Sequence, residues 1–259
     1  MKKARIGIIG GTGIITFITD GVPTRIGTPY GPSPIITIGD FGGKEVAYLP
    51  RHGEKHTVPP HNINYQANIW ALHNLGVERI IGTNAVGAIN IKYQVGDLVI
   101  PNDFVDFTKS RISTFFNEAP VTHIDVSTPY CPELSGILRE ASQKHHEIFW
   151  DQAVYLCTDG PRYETPAEIR MFRQLGCDVA GMTAIPELVL ARELEMCYSS
   201  LCFVTNMAAG LQEKLTAELI AEGSRQQTQR LSNVLEEAVR RVSWKKQCSC
   251  ARTLEGTRV

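Results

Sequence analysis

Short runs of aliphatic and β-branched residues alternate along the chain with longer segments in which apolar residues recur every three or four positions. The short runs are typical of strands buried on both faces, and the longer segments are typical of helices with one buried face. The predicted strands are 4–9, 35–38, 45–49, 78–81, 96–100, 153–157, 178–180 and 196–204. The predicted helices are 62–75, 133–147, 166–175, 187–195 and 216–242. This alternation predicts one α/β domain over residues 1–259, with a mixed, largely parallel β-sheet flanked by helices.

Three stretches lack this periodicity. Residues 102–130 contain several phenylalanines and few periodic signals, so we expect a long ordered loop of the kind that forms a lid or a subunit contact. Gly82–Gly87, directly after a predicted strand, is expected to be a small-residue loop whose backbone can approach a ligand. Residues 245–259 are expected to form a loosely ordered C-terminal tail.

Charge and hydropathy exclude several classes of protein. The formal net charge is -1, which offers no electrostatic basis for nucleic acid or a membrane surface as the main partner. No apolar run approaches the roughly 20 residues of a transmembrane helix, and Met1–Lys3 leads straight into a strand instead of a signal peptide. A cytoplasmic enzyme acting on small molecules is therefore expected.

The chain contains seven cysteines at scattered positions, and no His/Cys set has the spacing of zinc ligands. No metal site is therefore predicted, and in an ordinary cytosol the thiols would be reduced. For Cys248 and Cys250 three interpretations stay open: a redox pair, cross-links to Cys197 or Cys202, or an incidental occurrence.

Polar side chains occur where three of the predicted strands end. The segments are 157–165, 180–183 and 204–206, and together they supply an aromatic ring, a carboxylate, an amide, a hydroxyl and a methionine. Because ligands of α/β proteins bind beyond the carboxyl ends of strands, we expect one site built from all three. This inventory suits a flat heteroaromatic ligand with hydrogen-bonding edges better than a metal or a peptide.

Two further segments are candidates for binding an anion. Gly10–Gly13 follows the first strand, so its backbone N–H groups and the Thr12 hydroxyl can converge on a phosphate, although a plain structural turn fits equally well. Arg51–His56 is rich in basic residues and is either an anion clamp, through the guanidinium fork of Arg51, or a solvated loop.

In combination these segments resemble the trimeric purine nucleoside phosphorylase family, which includes the methylthioadenosine phosphorylases. The matching motifs follow the family's order over residues 7 to about 210 and are Gly10–Gly13, Arg51–Thr57, Asn64–Leu72, Gly160–Thr165 and Gly181–Glu187. The resemblance implies a nucleoside phosphorylase fold and cleavage of a purine nucleoside by inorganic phosphate, in purine salvage. The products are the free base and ribose 1-phosphate, and no cofactor is implied, because phosphate is a co-substrate.

The resemblance also implies roles for individual residues. The phosphate site is expected to comprise Thr12, Arg51, His52, Asn84, Ala85 and Thr183. Met182 matches a residue beneath the ribose, Tyr163 matches a ring that faces sugar and base, and His56 matches a histidine near phosphate and sugar.

Two positions depart from the methylthioadenosine branch of the family, which has Asp in place of Asn206 and Ser in place of Glu164. Asn206 can donate to O6 or N7 of a 6-oxopurine, and Glu164 can accept from its N1–H. The pair therefore predicts an inosine- or guanosine-type enzyme. Ala217 would leave an apolar pocket at the ribose 5′ end, compatible with 5′-methylthioinosine. Methylthioadenosine phosphorylase remains the alternative enzyme, and a non-catalytic purine-binding module is the alternative from another class.

The family pattern further implies a homotrimer or a dimer of trimers in which neighbouring subunits complete each site. His123, in the aromatic-rich stretch, is the candidate residue that reaches a neighbour's sugar site, and an ordinary surface histidine is the competing interpretation.

Overall fold

The computed structural model describes residues 3–11, 18, 20–214 and 216–259. In this part of the chain the strands are β1 Ile6–Gly10, β2 Val22–Thr24, β3 Gly27–Thr28, β4 Gly31–Pro32, β5 Ile36–Phe41, β6 Lys44–Pro50, β7 Arg79–Ala88, β8 Leu98–Phe107, β9 Phe149–Thr158, β10 Val179–Gly181 and β11 Cys197–Met207. The helices are α1 Tyr65–Asn74, α2 Pro132–Lys144, α3 Pro166–Gln174, α4 Ala184–Glu193 and α5 Ala217–Arg241.

Nine of the strands form one mixed sheet in the order β10-β9-β8-β11-β7-β1-β6-β5-β2. Five neighbouring pairs are parallel: β1 with β6 and β7, β7 with β11, and β9 with β8 and β10. Strand β10 also pairs antiparallel with β7, so β7, β11, β8, β9 and β10 close on themselves into a distorted barrel. The predicted mixed α/β fold with flanking helices is confirmed.

The two faces of β11 explain its long apolar run. Tyr198, Cys202 and Val204 belong to a buried cluster that also contains residues of α1 and α4. Leu201 and Phe203 point the opposite way, into a second cluster with α2 and α5. Because alternate residues of a strand face opposite sides, a strand covered by helices on both sides is apolar along most of its length. The buried Ser199 and Ser200 hydroxyls of β11 are hydrogen-bonded.

Helix ends follow from local chemistry. The Asn64 side chain accepts a hydrogen bond from the Ala67 amide at 3.0 Å and caps α1. Thr165 and Glu168 form a reciprocal capping box at the start of α3. Such caps satisfy backbone N–H groups that a helix leaves unpaired in its first turn.

The extended segments differ from the prediction in one respect that matters for the site. Gly82–Gly87 is not a loop but the continuation of β7, and β8 extends to Phe107, so the irregular stretch begins at residue 108. The register pairs Ile9 of β1 with Gly82, and β1 ends one residue later. Residues 83–86 therefore run on between the end of β1 and the pairing of Gly87 and Ala88 with β10, and this part of β7 lies beside a cavity.

The C-terminal tail, residues 245–259, lies against the body of the protein but consists mostly of bends and turns. Cys250 is 1 % exposed. The Leu254 amide donates to a carboxylate oxygen of Glu195 at 3.2 Å. The Val259 amide donates to the Val121 carbonyl at 3.0 Å.

Across the residues described above, no helix combines the length and the apolar character that a membrane span requires.

Candidate active site

A cavity of about 510 Å³ opens beyond the ends of β1, β9, β10 and β11. It is lined by every predicted site residue except Thr12 and His123, namely Arg51, His52, His56, Asn84, Ala85, Tyr163, Glu164, Met182, Thr183, Asn206 and Ala217. Its volume falls in the range of sites for drug-sized ligands. Thr12 lies outside the described residues. His123 does not line the cavity. It is exposed, and its backbone N–H donates to the Thr257 carbonyl at 2.9 Å.

Arg51 lies at one end of the cavity with its side chain fully buried. Its Nε and Nη2 atoms donate to the two Glu187 carboxylate oxygens at 2.7 and 2.8 Å, and Nη1 donates to the Thr83 carbonyl at 2.8 Å. Burial alone would lower the pKa of Arg51, but the Glu187 carboxylate raises it above its ordinary value. Glu187 therefore occupies the Nε–Nη2 side of the guanidinium, and contact of Arg51 with phosphate stays a prediction that would use its other N–H groups. A guanidinium has five N–H donors, so about two remain for an anion.

His52 and His56 lie side by side at the same end, with ring centroids 4.3 Å apart. Burial and the nearby Arg51 charge lower the pKa of His52 to about 4, and burial lowers the pKa of His56. At neutral pH His52 is uncharged. Since its Nδ1 lies 2.8 Å from the Val58 carbonyl, which can only accept, Nδ1 carries the proton and Nε2 is left as an acceptor.

The shifted His52 pKa predicts a stability change in acid. Between its ordinary pKa of 6.5 and about 4, the unfolded chain binds a proton that the native protein does not bind. The free energy of unfolding should therefore fall as the pH drops through this window. We expect His52→Gln to lose less stability than wild type between these two pH values in urea titrations. The exposed His73→Gln variant is the control and should follow wild type.

Asn84 and Thr183 are held next to each other across the sheet. The Thr183 hydroxyl donates to Asn84 Oδ1 at 2.9 Å, and Asn84 Nδ2 donates to the Ser200 hydroxyl at 2.6 Å. Thr183 immediately precedes α4, and Asn84 and Ala85 lie within β7 beyond the end of β1. These polar groups surround the end of the cavity that contains Arg51. They can offer an anion the second Nδ2 hydrogen of Asn84 and guanidinium N–H groups, and the Thr183 hydroxyl can join them once it turns away from Asn84.

Asn206 lies on the wall of the cavity, just after an irregularity in β11. The pairing of β11 with β7 shifts between Val204 and Asn206, so Thr205 is an extra, bulged residue. A bulge re-aims the side chains that follow it. The Thr205 hydroxyl donates to Asn206 Oδ1 at 2.8 Å, and Asn206 Nδ2 donates to the Met207 carbonyl at 2.9 Å. The second hydrogen of Nδ2 is a donor beyond these bonds.

Glu164, Tyr163 and Met182 occupy the segments that follow β9 and β10. One Glu164 oxygen accepts from the Thr158 hydroxyl at 2.7 Å, which fixes the carboxylate at the end of β9. Tyr163 is 36 % exposed, and burial followed by the Glu164 charge raises its pKa, so the phenol stays neutral. Met182 packs on Gly160, which has a positive φ of 66° and no space for a side chain.

The remaining wall of the cavity is apolar. Ala217, Ile220 and Ala221, from the first turn of α5, face it together with Ala208 and Ala209. Predictions from the sequence named Ala217 but not its two neighbours one turn along, although their three- and four-residue spacing places them on the same helix face. They also did not identify Glu187, Thr158 and Thr205 as the residues that orient Arg51, Glu164 and Asn206. Glu187 lies 136 residues from Arg51 and leaves no local pattern, whereas Thr158 and Thr205 are close in sequence to their partners.

Comparison with known proteins places this architecture in a family. Residues 5–240 match the Phosphorylase superfamily. The chain is 47 % identical over 252 residues to a probable 6-oxopurine nucleoside phosphorylase of Moorella thermoacetica, covering 95 % of this chain and 96 % of that protein. It is also 47 % identical over 258 residues to a probable S-methyl-5′-thioinosine phosphorylase of Methanothermobacter thermautotrophicus, covering 98 % and 90 % of the two chains.

A solved structure agrees with these relationships. A methylthioadenosine phosphorylase from an antarctic soil metagenomic library superimposes with a TM-score of 0.94 at 34 % identity, covering 100 % of this chain and 93 % of that one. The match to the superfamily spans most of the chain, and the relatives are aligned along nearly their whole length. The protein is therefore a member of the phosphorylase superfamily.

Proposed function

We propose that this enzyme catalyses the reversible phosphorolysis of 6-oxopurine nucleosides to the free base and ribose 1-phosphate. The observation that carries the proposal is one cavity with two chemically different ends. Anion-binding groups around Arg51, His52 and Thr183 line one part, and the Asn206 amide and the Glu164 carboxylate line another. Mere binding of a purine needs no second anion site, so this pairing favours an enzyme over a binding module.

Asn206 and Glu164 form the base-recognition pair of this proposal. A 6-oxopurine presents an acceptor at O6 and a donor at N1, whereas a 6-aminopurine presents a donor at position 6 and an acceptor at N1. Asn206 Nδ2 donates to O6 or N7, and the Glu164 carboxylate accepts from N1–H. The relatives named above for 6-oxopurine nucleosides and thioinosine support this choice.

Phosphate binds at the other end of the cavity and attacks the anomeric carbon. The remaining N–H groups of Arg51, the Ala85 backbone, Asn84 and Thr12 hold its oxygens, and the Thr183 hydroxyl joins them by turning away from Asn84. Neutral His52 accepts a hydrogen bond from the P–OH group at Nε2, and the proton stays on phosphate. Because Glu187 neutralises Arg51, the dianion is held mainly by hydrogen bonds and keeps its negative charge for the reacting carbon.

The bond between purine and sugar breaks as the base leaves with the bonding electrons and the ribose gains oxocarbenium character. Phosphate on the opposite face stabilises this cation and then forms the new C–O bond. Asn206 stabilises the charge that develops on O6 and N7, which is the kind of donor that acts most strongly in the transition state. His56, Tyr163 and Met182 position the sugar. We expect the reaction to need no metal and no cofactor beyond phosphate.

The apolar wall of Ala217, Ile220 and Ala221 supports a proposal for the ribose 5′ end. It contributes no hydroxyl or amide side chain to pair with a 5′-hydroxyl, whereas a methylthio group would bury its apolar surface there. We therefore expect 5′-methylthioinosine among the substrates. S-Methyl-5′-thioadenosine remains the alternative substrate, because the wall suits it equally, but the base-recognition pair disfavours its amino group.

A substrate panel tests the proposal. Inosine, guanosine, adenosine and their 5′-methylthio analogues are incubated with the enzyme, with and without phosphate, and the free base is quantified. We expect release of hypoxanthine and guanine only when phosphate is present, and little adenine. Preference for adenosine compounds from the outset would contradict the base assignment, and no release from any nucleoside would contradict the enzymatic assignment.

Replacing Glu164 by serine should affect activity on 6-oxopurine nucleosides more than activity on 6-aminopurine nucleosides. The variant removes the acceptor for N1–H, which only a 6-oxopurine presents, so kcat/KM for inosine should fall more than kcat/KM for adenosine. We expect a loss on inosine of about tenfold to a hundredfold, the usual scale of a hydrogen bond to a charged group. Thr158→Val, which removes only the hydroxyl that orients Glu164, should give a smaller loss of the same kind. Equal losses on both substrates would contradict the role.

Assembly is also a proposal. We expect a homotrimer or a dimer of trimers in the cytoplasm, in which the 121–123 segment brings His123 to a neighbour's sugar site. Activity per chain should then fall on dilution, as the oligomer dissociates. Full activity of a monomer would contradict this.

A further inference from the structure

Four cysteines converge outside the catalytic cavity. Cys131, Cys197, Cys248 and Cys250 place their Sγ atoms within 4.8 Å of one another. Three are buried and Cys248 is half-buried. They come from three distant parts of the chain. The cluster therefore could not be predicted from the spacing of cysteines in the sequence.

The spacing of the sulfur atoms fits ligands around one ion. Cys197 and Cys248 lie 3.4 Å apart, well beyond the roughly 2.05 Å of a disulfide bond. Four thiolates at the usual zinc–sulfur distance of about 2.3 Å form a tetrahedron with edges of about 3.8 Å. Small movements of side chains would bring all four sulfurs to that separation. In two disulfides the same four sulfur atoms would instead be bonded to one another in two pairs.

Two of the thiols are mounted on rigid elements. Cys131 precedes the first turn of α2, and its amide donates to the Tyr198 carbonyl at 2.8 Å. Cys197 begins β11, and its amide donates to the Glu78 carbonyl at 2.9 Å. Sites built on helices and strands hold their geometry better than sites on loops.

The backbone beside Cys248 is held by a neighbouring ion pair. One Glu133 oxygen accepts from the backbone N–H groups of Gln247 and Cys248, at 2.8 and 3.2 Å. The other Glu133 oxygen pairs with Arg79 at 2.9 Å, and Arg79 Nη1 lies 4.0 Å from Cys197 Sγ. This is the outer shell expected of a metal site: a carboxylate fixes the ligand loop and a buried guanidinium balances the negative charge of the thiolates.

We propose that Cys131, Cys197, Cys248 and Cys250 bind one zinc ion, which fastens the C-terminal tail to the body of the enzyme. Four sulfur ligands in a closed, buried site are the donor set of structural zinc. All four coordination positions are filled by protein, so the ion would hold structure and take no part in phosphorolysis. The proposal is independent of the proposed function.

The first experiment measures metal content in protein purified from zinc-supplemented cells under reducing conditions. We expect about one zinc per chain in wild type and in the control Cys177→Ser, whose buried thiol lies outside the cluster, and under about 0.2 in Cys250→Ser. Removing zinc with a chelator should lower the melting temperature by roughly 5 °C or more, and restoring zinc should reverse the shift.

The second experiment needs no variant and therefore does not depend on a mutant folding. Reduced, metal-free wild-type protein is titrated with cobalt(II), which should produce the visible absorption of a tetrahedral tetrathiolate that saturates near one equivalent and disappears when zinc is added. The proposal would be overturned if purified wild-type protein contained no zinc and its four cysteines formed disulfides. Zinc retained equally by Cys250→Ser and the control would do the same.

Discussion

Replacing Asn206 by aspartate should lower kcat/KM for inosine by about a hundredfold or more, equivalent to roughly 3 kcal/mol. The change replaces a donor by a carboxylate that faces O6 while negative charge builds there. The same carboxylate can accept from the amino group of adenosine, so the low activity on adenosine should persist or rise. The ratio of the two specificity constants is the quantity to measure, because it cancels a general loss of folded enzyme.

The contacts of Asn206 also suggest an alternative, purely structural role, which predicts a different result for the aspartate variant. Its Nδ2 donates to the Met207 carbonyl, and an aspartate oxygen placed there would repel that carbonyl. If Asn206 only stabilises the end of β11, the variant should lose stability and both activities together, with an unchanged ratio. Asn233→Asp, on the exposed face of α5, is the matched control and should leave both constants as they are.

Replacing Arg51 by methionine should have the second large effect, on stability and on phosphate use together. The variant leaves the fully buried Glu187 carboxylate without its partner, which typically costs about 3–5 kcal/mol of folding free energy. It also removes the guanidinium donors from the phosphate end, so the KM for phosphate should rise. Urea unfolding and phosphate saturation curves measure the two effects separately.

A second substitution can separate the loss of stability from the loss of phosphate binding. Adding Glu187→Gln to Arg51→Met removes the unpaired charge, so the double variant should regain much of the lost stability while the KM for phosphate stays high. Arg5→Met is the matched control, because the Arg5–Glu78 pair is exposed and such pairs contribute about 1 kcal/mol or less. A double variant that recovered normal phosphate use would show that Arg51 does not contact phosphate.

The sequence predicted the order of elements and most of the cavity wall because both depend on local patterns. A polar residue after a buried strand lies at the sheet edge wherever the strand pairs, which is how Glu164, Thr183 and Asn206 came to be grouped correctly. Helix α5 was predicted within one residue at each end, since Thr216 caps it through the Leu219 amide and its apolar stripe is regular.

The features that the sequence did not reveal depend on contacts between distant segments. Nothing near Arg51 indicates that its fork binds Glu187, 136 residues away. The small residues of Gly82–Gly87 looked like a loop, but pairing with β11 holds them in a strand. The four-cysteine cluster likewise depends on the fold of the tail, which carries no periodic signal of its own.

In the proposed reaction phosphate, and not water, receives the ribose of a 6-oxopurine nucleoside. The most direct measurement is phosphorus NMR of the enzyme with inosine and inorganic phosphate, with hypoxanthine followed in the same sample. We expect one ribose 1-phosphate for each hypoxanthine released, and no release when phosphate is omitted. Hypoxanthine and free ribose appearing without phosphate would contradict it.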